Sequence, residues 1–152
     1  MIRAFIVTAL CIGVTCALAQ EAPKEKAFWG LASDAPSYEI AGGKAIATLS
    51  SQGPTYMGIL VGKPGLKVPV HTHALSTEML YILSGGGTMI IDGKRHAVTA
   101  GMVIRIPPGT PHGFEIAPHA KTEFRAVQVY SPAGPEQRFK KGRLLPQKKS
   151  SR

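Results

Sequence analysis

Between residues 44 and 130 the chain never sustains an apolar period of 3.6. It is cut instead into short runs rich in β-branched and alternating apolar residues, at 44–49, 55–61, 68–73, 78–83, 88–91, 94–98, 102–106, 111–116 and 122–130. Gly, Pro, Ser or Asp fills nearly every gap, and the chain of 152 residues holds 17 Gly and 12 Pro. Evenly spaced short strands of this kind predict an all-β sandwich or small antiparallel barrel, with helix confined to short turns. Asp92-Gly93 separates two of the runs and predicts a two-residue hairpin, because that turn requires positive φ at both positions.

The two ends of the chain read differently from this body. Arg3 precedes an apolar run from Ala4 to Val14, and Ala17-Leu18-Ala19 offers small residues where a signal peptidase cuts. Residues 1–19 are therefore expected to be a signal peptide of a secreted or periplasmic protein. The run is shorter than the roughly 20 apolar residues that span a bilayer, so no transmembrane anchor is expected. Cys11 and Cys16 both fall inside the leader, which leaves the mature chain without a thiol, disulfide or Cys-based metal site. The absence of Asn removes every N-glycosylation acceptor.

Residues 20–43 are expected to form an N-terminal arm, with Phe28, Trp29 and Leu31 packing on the body, and residues 44–132 the barrel. Residues 133–152 read as a basic tail: from Arg138 to Arg152 it carries Arg138, Lys140, Lys141, Arg143, Lys148, Lys149 and Arg152 and no acidic residue. The whole chain carries a net charge of +9. An exported protein rarely meets nucleic acid, so no nucleic-acid partner is expected.

Chemistry concentrates in four residues. On a strand, residues two apart share a face, so His71 and His73 project together from the run 68–73. Glu78 opens the next run after a short turn. His112 follows the rigid turn Pro107-Pro108-Gly109, which aims it from a third direction. Three neutral imidazoles and one carboxylate suit a borderline divalent ion and leave coordination positions for water or substrate.

These residues carry a family resemblance. Gly65, His71, His73, Glu78 and Gly85 stand at the spacing G-x5-H-x-H-x4-E-x6-G, and Gly101, Pro107, Gly109 and His112 at G-x5-P-x-G-x2-H. The two blocks resemble the paired motifs of the cupin superfamily, in its small single-domain form. The family often carries Asn four residues after the last histidine, where this chain has Ile116. The resemblance implies a cupin-type jelly-roll β-barrel with one divalent transition metal (Cu, Zn, Mn, Fe or Ni) held by His71, His73, Glu78 and His112, often as a homodimer joined through the outer sheets.

Other residues are weaker candidates. His96 and His119 read as surface residues. If Glu78 faces inward, alternation sends Leu80 and Ile82 inward too and turns Met79 and Tyr81 to the other face. Phe114 shares the parity of His112 and is expected in a cavity wall; for Met57, Ile59 and Val61, a cavity wall or ordinary core packing both remain open. The functional expectation is a metal-dependent enzyme (oxidase, dioxygenase, decarboxylase or lyase) acting on a small oxygenated molecule, with Glu78 as ligand and proton acceptor. The alternative is a non-catalytic exported protein that binds a metal or small ligand. Affinity order prefers Cu or Zn for such a nitrogen-rich site.

Overall fold

Each of the runs named above becomes a strand in a computed structural model of the chain, which describes residues 27–51 and 53–147. The strands are β1 (Ser37–Ile40), β2 (Ala45–Ser51), β3 (Tyr56–Gly62), β4 (Lys67–His71), β5 (Thr77–Ser84), β6 (Gly86–Ile91), β7 (Lys94–Thr99), β8 (Val103–Ile106), β9 (His112–Glu115), β10 (Phe124–Ser131) and β11 (Arg143–Leu144). Helix is limited to 3₁₀ turns at Ala32–Asp34, Ala41–Gly43 and Pro135–Lys141. All strand pairs are antiparallel. They form one sheet in the order β11-β1-β2-β3-β10-β5-β8 and a second in the order β4-β9-β6-β7. This is the jelly-roll architecture expected of the sequence.

Side-chain alternation explains how the sheets close on one another. Along β5, Glu78, Leu80 and Ile82 are buried while Met79, Tyr81 and Leu83 are exposed. Along β10, Phe124, Ala126, Gln128 and Tyr130 are buried in the same alternation. Of the inward residues, Leu80, Ile82, Phe124 and Ala126 join Leu66, Met89, Val98, Ile106, Phe114 and Ile116 in the principal core. A second cluster of Ala47, Leu49, Tyr56, Tyr130 and Phe139 fills one end, where the rings of Tyr56 and Tyr130 stack at 5.6 Å. Ile116, which stands where the resemblance led one to look for Asn, is buried. Its backbone N–H donates to the Leu66 carbonyl at 2.9 Å and its carbonyl accepts from Gly65 at 3.1 Å.

Turn chemistry sets where the chain changes sheet. Asp92 and Gly93 have φ of 47° and 75° and close the β6–β7 hairpin, in which Ile91 pairs with Lys94. Gly85, at φ 70°, lies between β5 of the large sheet and β6 of the small one.

Several expectations need correction. Phe28, Trp29 and Leu31 do not pack on the body: they are exposed, Trp29 by 87%, and the turn Ala32–Asp34 that follows them rests against β2. The sheet also extends beyond residues 44–132. Within the expected arm, β1 pairs with β2, and within the expected tail, β11 pairs with β1 through Tyr38↔Leu144 and Glu39↔Arg143. An ion pair of 2.8 Å between Arg143 and Glu39 accompanies that pairing, so basic composition concealed a strand. Met57, Ile59 and Val61 belong to neither core nor cavity wall. Tyr56, Gly58 and Leu60 take the inward parity of β3, which puts the other three on the outer face. The leader at 1–19, residues 20–26, Lys148, Lys149 and Arg152 lie outside the described residues.

Gly85 and Gly101 separate backbone strain from crowding. A Cβ at Gly85 would strike the Glu123 carbonyl, whereas at Gly101, with φ 87°, it would meet nothing within 4 Å. Gly101→Ala should cost about 1 kcal/mol from strain alone and Gly85→Ala more than about 2 kcal/mol, read by urea unfolding. Equal losses would show that the Glu123 contact does not set the requirement at Gly85.

Candidate metal centre

The four residues singled out by spacing arrive from three directions. His71 is the last residue of β4 and His112 the first of β9, and the two are register partners in the small sheet. His73 lies just beyond the end of β4, so the strand is shorter than the run 68–73 suggested. There is no partner strand for it at that point; its carbonyl instead accepts from the Gly109 N–H at 2.8 Å, which ties it to the Pro107–Gly109 turn. Glu78 reaches across from β5 of the large sheet. His73, Glu78 and His112 are buried and His71 nearly so. One ligand atom from each of the four lies within 4.8 Å of the other three.

Backbone carbonyls fix the orientation of two rings. Nδ1 of His71 lies 2.8 Å from the Pro69 carbonyl, and Nδ1 of His112 lies 2.8 Å from the Thr110 carbonyl. A carbonyl only accepts, so both Nδ1 atoms carry hydrogen and both Nε2 atoms turn their lone pairs into the cluster. Nε2 of His71 and Nε2 of His73 are buried without a hydrogen-bond partner. The His73 Nε2 is 3.3 Å from Glu78 Oε2, yet out of line for a hydrogen bond. Ring centroids stand 4.4 Å apart for His71 and His112, 4.9 Å for His71 and His73, and 5.0 Å for His73 and His112.

The electrostatics follow from this crowding. Burial alone pushes the Glu78 carboxyl up, but the nitrogens of His112, His73 and Gln128 outweigh it and bring the pKa to about 2. Glu78 is therefore a carboxylate. Burial lowers the His71 pKa, holding that ring neutral near pH 7. At His112 burial also works against charge, but the Glu78 carboxylate and the Thr110 carbonyl win and raise the pKa. Nε2 of His112 is 3.0 Å from Glu78 Oε2. With Nδ1 already donating, that contact is a hydrogen bond only when Nε2 is also protonated; otherwise two lone pairs face each other. A cation shared by three imidazole nitrogens and one carboxylate removes the conflict and satisfies both unpartnered nitrogens. The cluster is thus compatible with one bound metal ion.

Residues that the spacing did not reveal complete the surroundings. Gln128 Nε2 donates to Glu78 Oε1 at 2.8 Å and to the Tyr130 hydroxyl at 2.9 Å, while its own Oε1 is buried without a partner. Tyr130 sets its ring edge-on to His73 at 5.1 Å. A Gln at inward parity among Phe124, Ala126 and Tyr130 was the available signal. A cavity of about 480 Å³ opens onto His71, Glu78 and His112, walled by Leu60, Val68, Leu80, Met89, Phe114 and Phe124. Phe114 stands where its parity put it. Tyr81, His96 and His119 are exposed, away from the cluster.

With the geometry established, similarity to known proteins becomes informative. Residues 59–130 match the cupin domain family. The barrel has the fold of solved cupins. Among solved cupin-fold structures, an RmlC-like cupin of Shewanella frigidimarina superposes with a TM-score of 0.63 at 19% identity, covering 74% of this chain and 96% of its own. A Thermotoga maritima protein, described as a predicted oxalate decarboxylase, gives 0.63 at 20% identity, with 70% and 100% covered. In sequence, quercetin 2,3-dioxygenase of Bacillus subtilis is 29% identical over 82 residues, which are 51% of this chain and 24% of that enzyme. Protein SchB of Streptomyces halstedii is 31% identical over 85 residues, 53% of this chain and 62% of that protein. The chain thus spans less than two thirds of the length of the curated relatives it matches.

Because an ion must displace the proton favoured at His112, its affinity should fall as pH drops through the raised His112 range, by about tenfold per pH unit for each proton displaced. His73→Ala should release the ion and lower the melting temperature of protein purified with metal. Competition titrations with a chromogenic chelator, with elemental analysis of the variant, read both effects. Full metal content in His73→Ala would remove His73 from the ligand set.

Proposed function

We propose that this chain is a cupin and a metal-dependent enzyme that acts on a small oxygenated molecule inside its barrel. The observation that carries the reading is the convergence of three inward imidazole nitrogens and the Glu78 carboxylate at a cavity of about 480 Å³. His71, His73, Glu78 and His112 would hold one divalent transition metal, with Cu or Zn preferred over Mn or Fe by intrinsic affinity. When bound, the ion supplies Lewis-acid polarisation or redox capacity, which suits an oxidase, dioxygenase, decarboxylase or lyase.

The chain's own side chains perform the remaining tasks. Apolar walls exclude water and strengthen every charge interaction within. Gln128 holds one oxygen of Glu78, and so the carboxylate keeps its direction while the other oxygen faces the imidazoles. Glu78 is the group placed to accept a substrate proton. Similarity to quercetin 2,3-dioxygenase supports oxygen chemistry, over the stretch that the two chains share.

One observation favours a second reading, a non-catalytic metal- or ligand-binding protein. Among the described residues, Glu78 is the only carboxylate lining the cavity, and neighbouring donors hold it at a pKa of about 2, a weak base. Oxygen uptake and product analysis with metal-loaded protein separates the two, using a flavonol, oxalate and superoxide. Turnover of one of these, lost in Glu78→Gln protein that still carries metal, supports the enzyme; tight binding without turnover of any supports the binder.

Two further parts of the proposal concern the whole protein. The apolar segment before Ala19 supports export to the periplasm or medium. The outer face of the large sheet supports a homodimer: Ile59, Val127, Tyr81 and Val103 lie side by side across β3, β10, β5 and β8, and Val103 is 75% exposed. Protein purified from its native compartment should begin at Gln20, carry mainly Cu or Zn and scatter light as a dimer. An uncut N-terminus, mainly Mn or a monomeric mass would each overturn the matching part.

A further inference from the structure

The polar lining of the cavity outside the His/Glu cluster and Gln128 consists of Lys67 and Arg138. Lys67 stands opposite Glu115 across the β4–β9 pair, so a carboxylate, itself bonded to Arg95, lies on the neighbouring strand. Arg138 is different. Its Nη2 donates to the Tyr130 hydroxyl at 3.2 Å and its guanidinium lies 5.1 Å from the centre of the Phe139 ring. Among the described residues no carboxylate forms an ion pair with it.

Nor does Arg138 belong to a frayed tail. It lies in the turn Pro135–Lys141 between two anchors, the buried Phe139 and Glu136, whose Oε2 accepts from the Gly134 N–H at 2.7 Å. Arg138 is exposed as a residue and lines the cavity, which places it where the cavity meets solvent. From there three consecutive hydrogen bonds run inward through Tyr130 and Gln128 to Glu78. The cavity therefore has a cationic, fork-shaped donor at its mouth and the ligand cluster within, with apolar walls between.

We propose that Arg138 anchors an anion, so that the substrate is a small carboxylic acid with an apolar body. Its carboxylate lies on the guanidinium and its oxygenated opposite end faces His71, His73, Glu78 and His112; this substrate class rests on the reading of that cluster as a metal-dependent site. A guanidinium matches a carboxylate through two parallel N–H donors, a fit that an ammonium group lacks. The unpartnered Oε1 of Gln128 supplies an acceptor for a ligand hydroxyl along the way.

The test is calorimetric titration with phenylacetate and its neutral counterpart phenylacetamide. It uses zinc-loaded and chelator-stripped forms of the wild type, Arg138→Gln and Arg138→Lys, each checked for native circular dichroism. The wild type should prefer the acid by roughly tenfold or more, in both metal states. Arg138→Gln should lose the preference and Arg138→Lys keep part of it. Persistence of the preference in Arg138→Gln, its disappearance on stripping, or the absence of any preference or binding in the wild type would overturn the assignment. Failure of zinc to load would sink the metal reading by itself, while the acid preference of the same protein still decides Arg138.

Discussion

The carbonyls of Pro69 and Thr110 take the Nδ1 protons of His71 and His112, and much of the site follows from those two hydrogen bonds. Each leaves an Nε2 lone pair turned inward, toward a carboxylate that its neighbours keep ionised. Lone pairs brought this close in apolar surroundings repel unless something positive lies among them. In metal-free protein a proton on His112 can serve, which is why its pKa is raised. A divalent ion answers all four groups at once.

The fold makes that concentration of donors affordable by spreading its attachment over two sheets. His71 and His112 sit opposite one another in the small sheet, Glu78 and Gln128 on adjacent strands of the large one, and His73 on the connection bound to the Pro107–Gly109 turn. No single element carries the site, so its geometry depends on the packing of the sheets through Leu66, Leu80, Phe114 and Phe124. The same packing leaves the cavity beside the cluster, with Gly85 carrying the chain from one sheet to the other.

Much of this was legible in the sequence because it rests on period and spacing. The motif spacing singled out four side chains whose ligand atoms lie within 4.8 Å of one another, although His73 sits past the end of the strand that alternation assumed; Asp92-Gly93 needs only its positive φ, and the inward parity of Glu78 correctly turned Tyr81 outward. What stayed hidden depended on tertiary partners. β1 and β11 are short, and exist because β1 pairs with β2 and β11 in turn pairs with β1. Arg138 looked like one more charge in a basic run until Glu136 and Phe139 pinned its turn to the barrel. Parity along β3 could not be read from Met57, Ile59 and Val61 alone, since the residues on the other parity, Tyr56, Gly58 and Leu60, include a glycine and a tyrosine that give no clear inward signal.

The central claim is that four side chains share one cation. Anomalous diffraction from crystals grown with zinc, recorded on both sides of the metal absorption edge, addresses it directly. The account predicts one strong peak per chain, about 2.0–2.2 Å from Nε2 of His71, His73 and His112 and from a carboxylate oxygen of Glu78. A peak elsewhere, or one that leaves out any of these four groups, would contradict it.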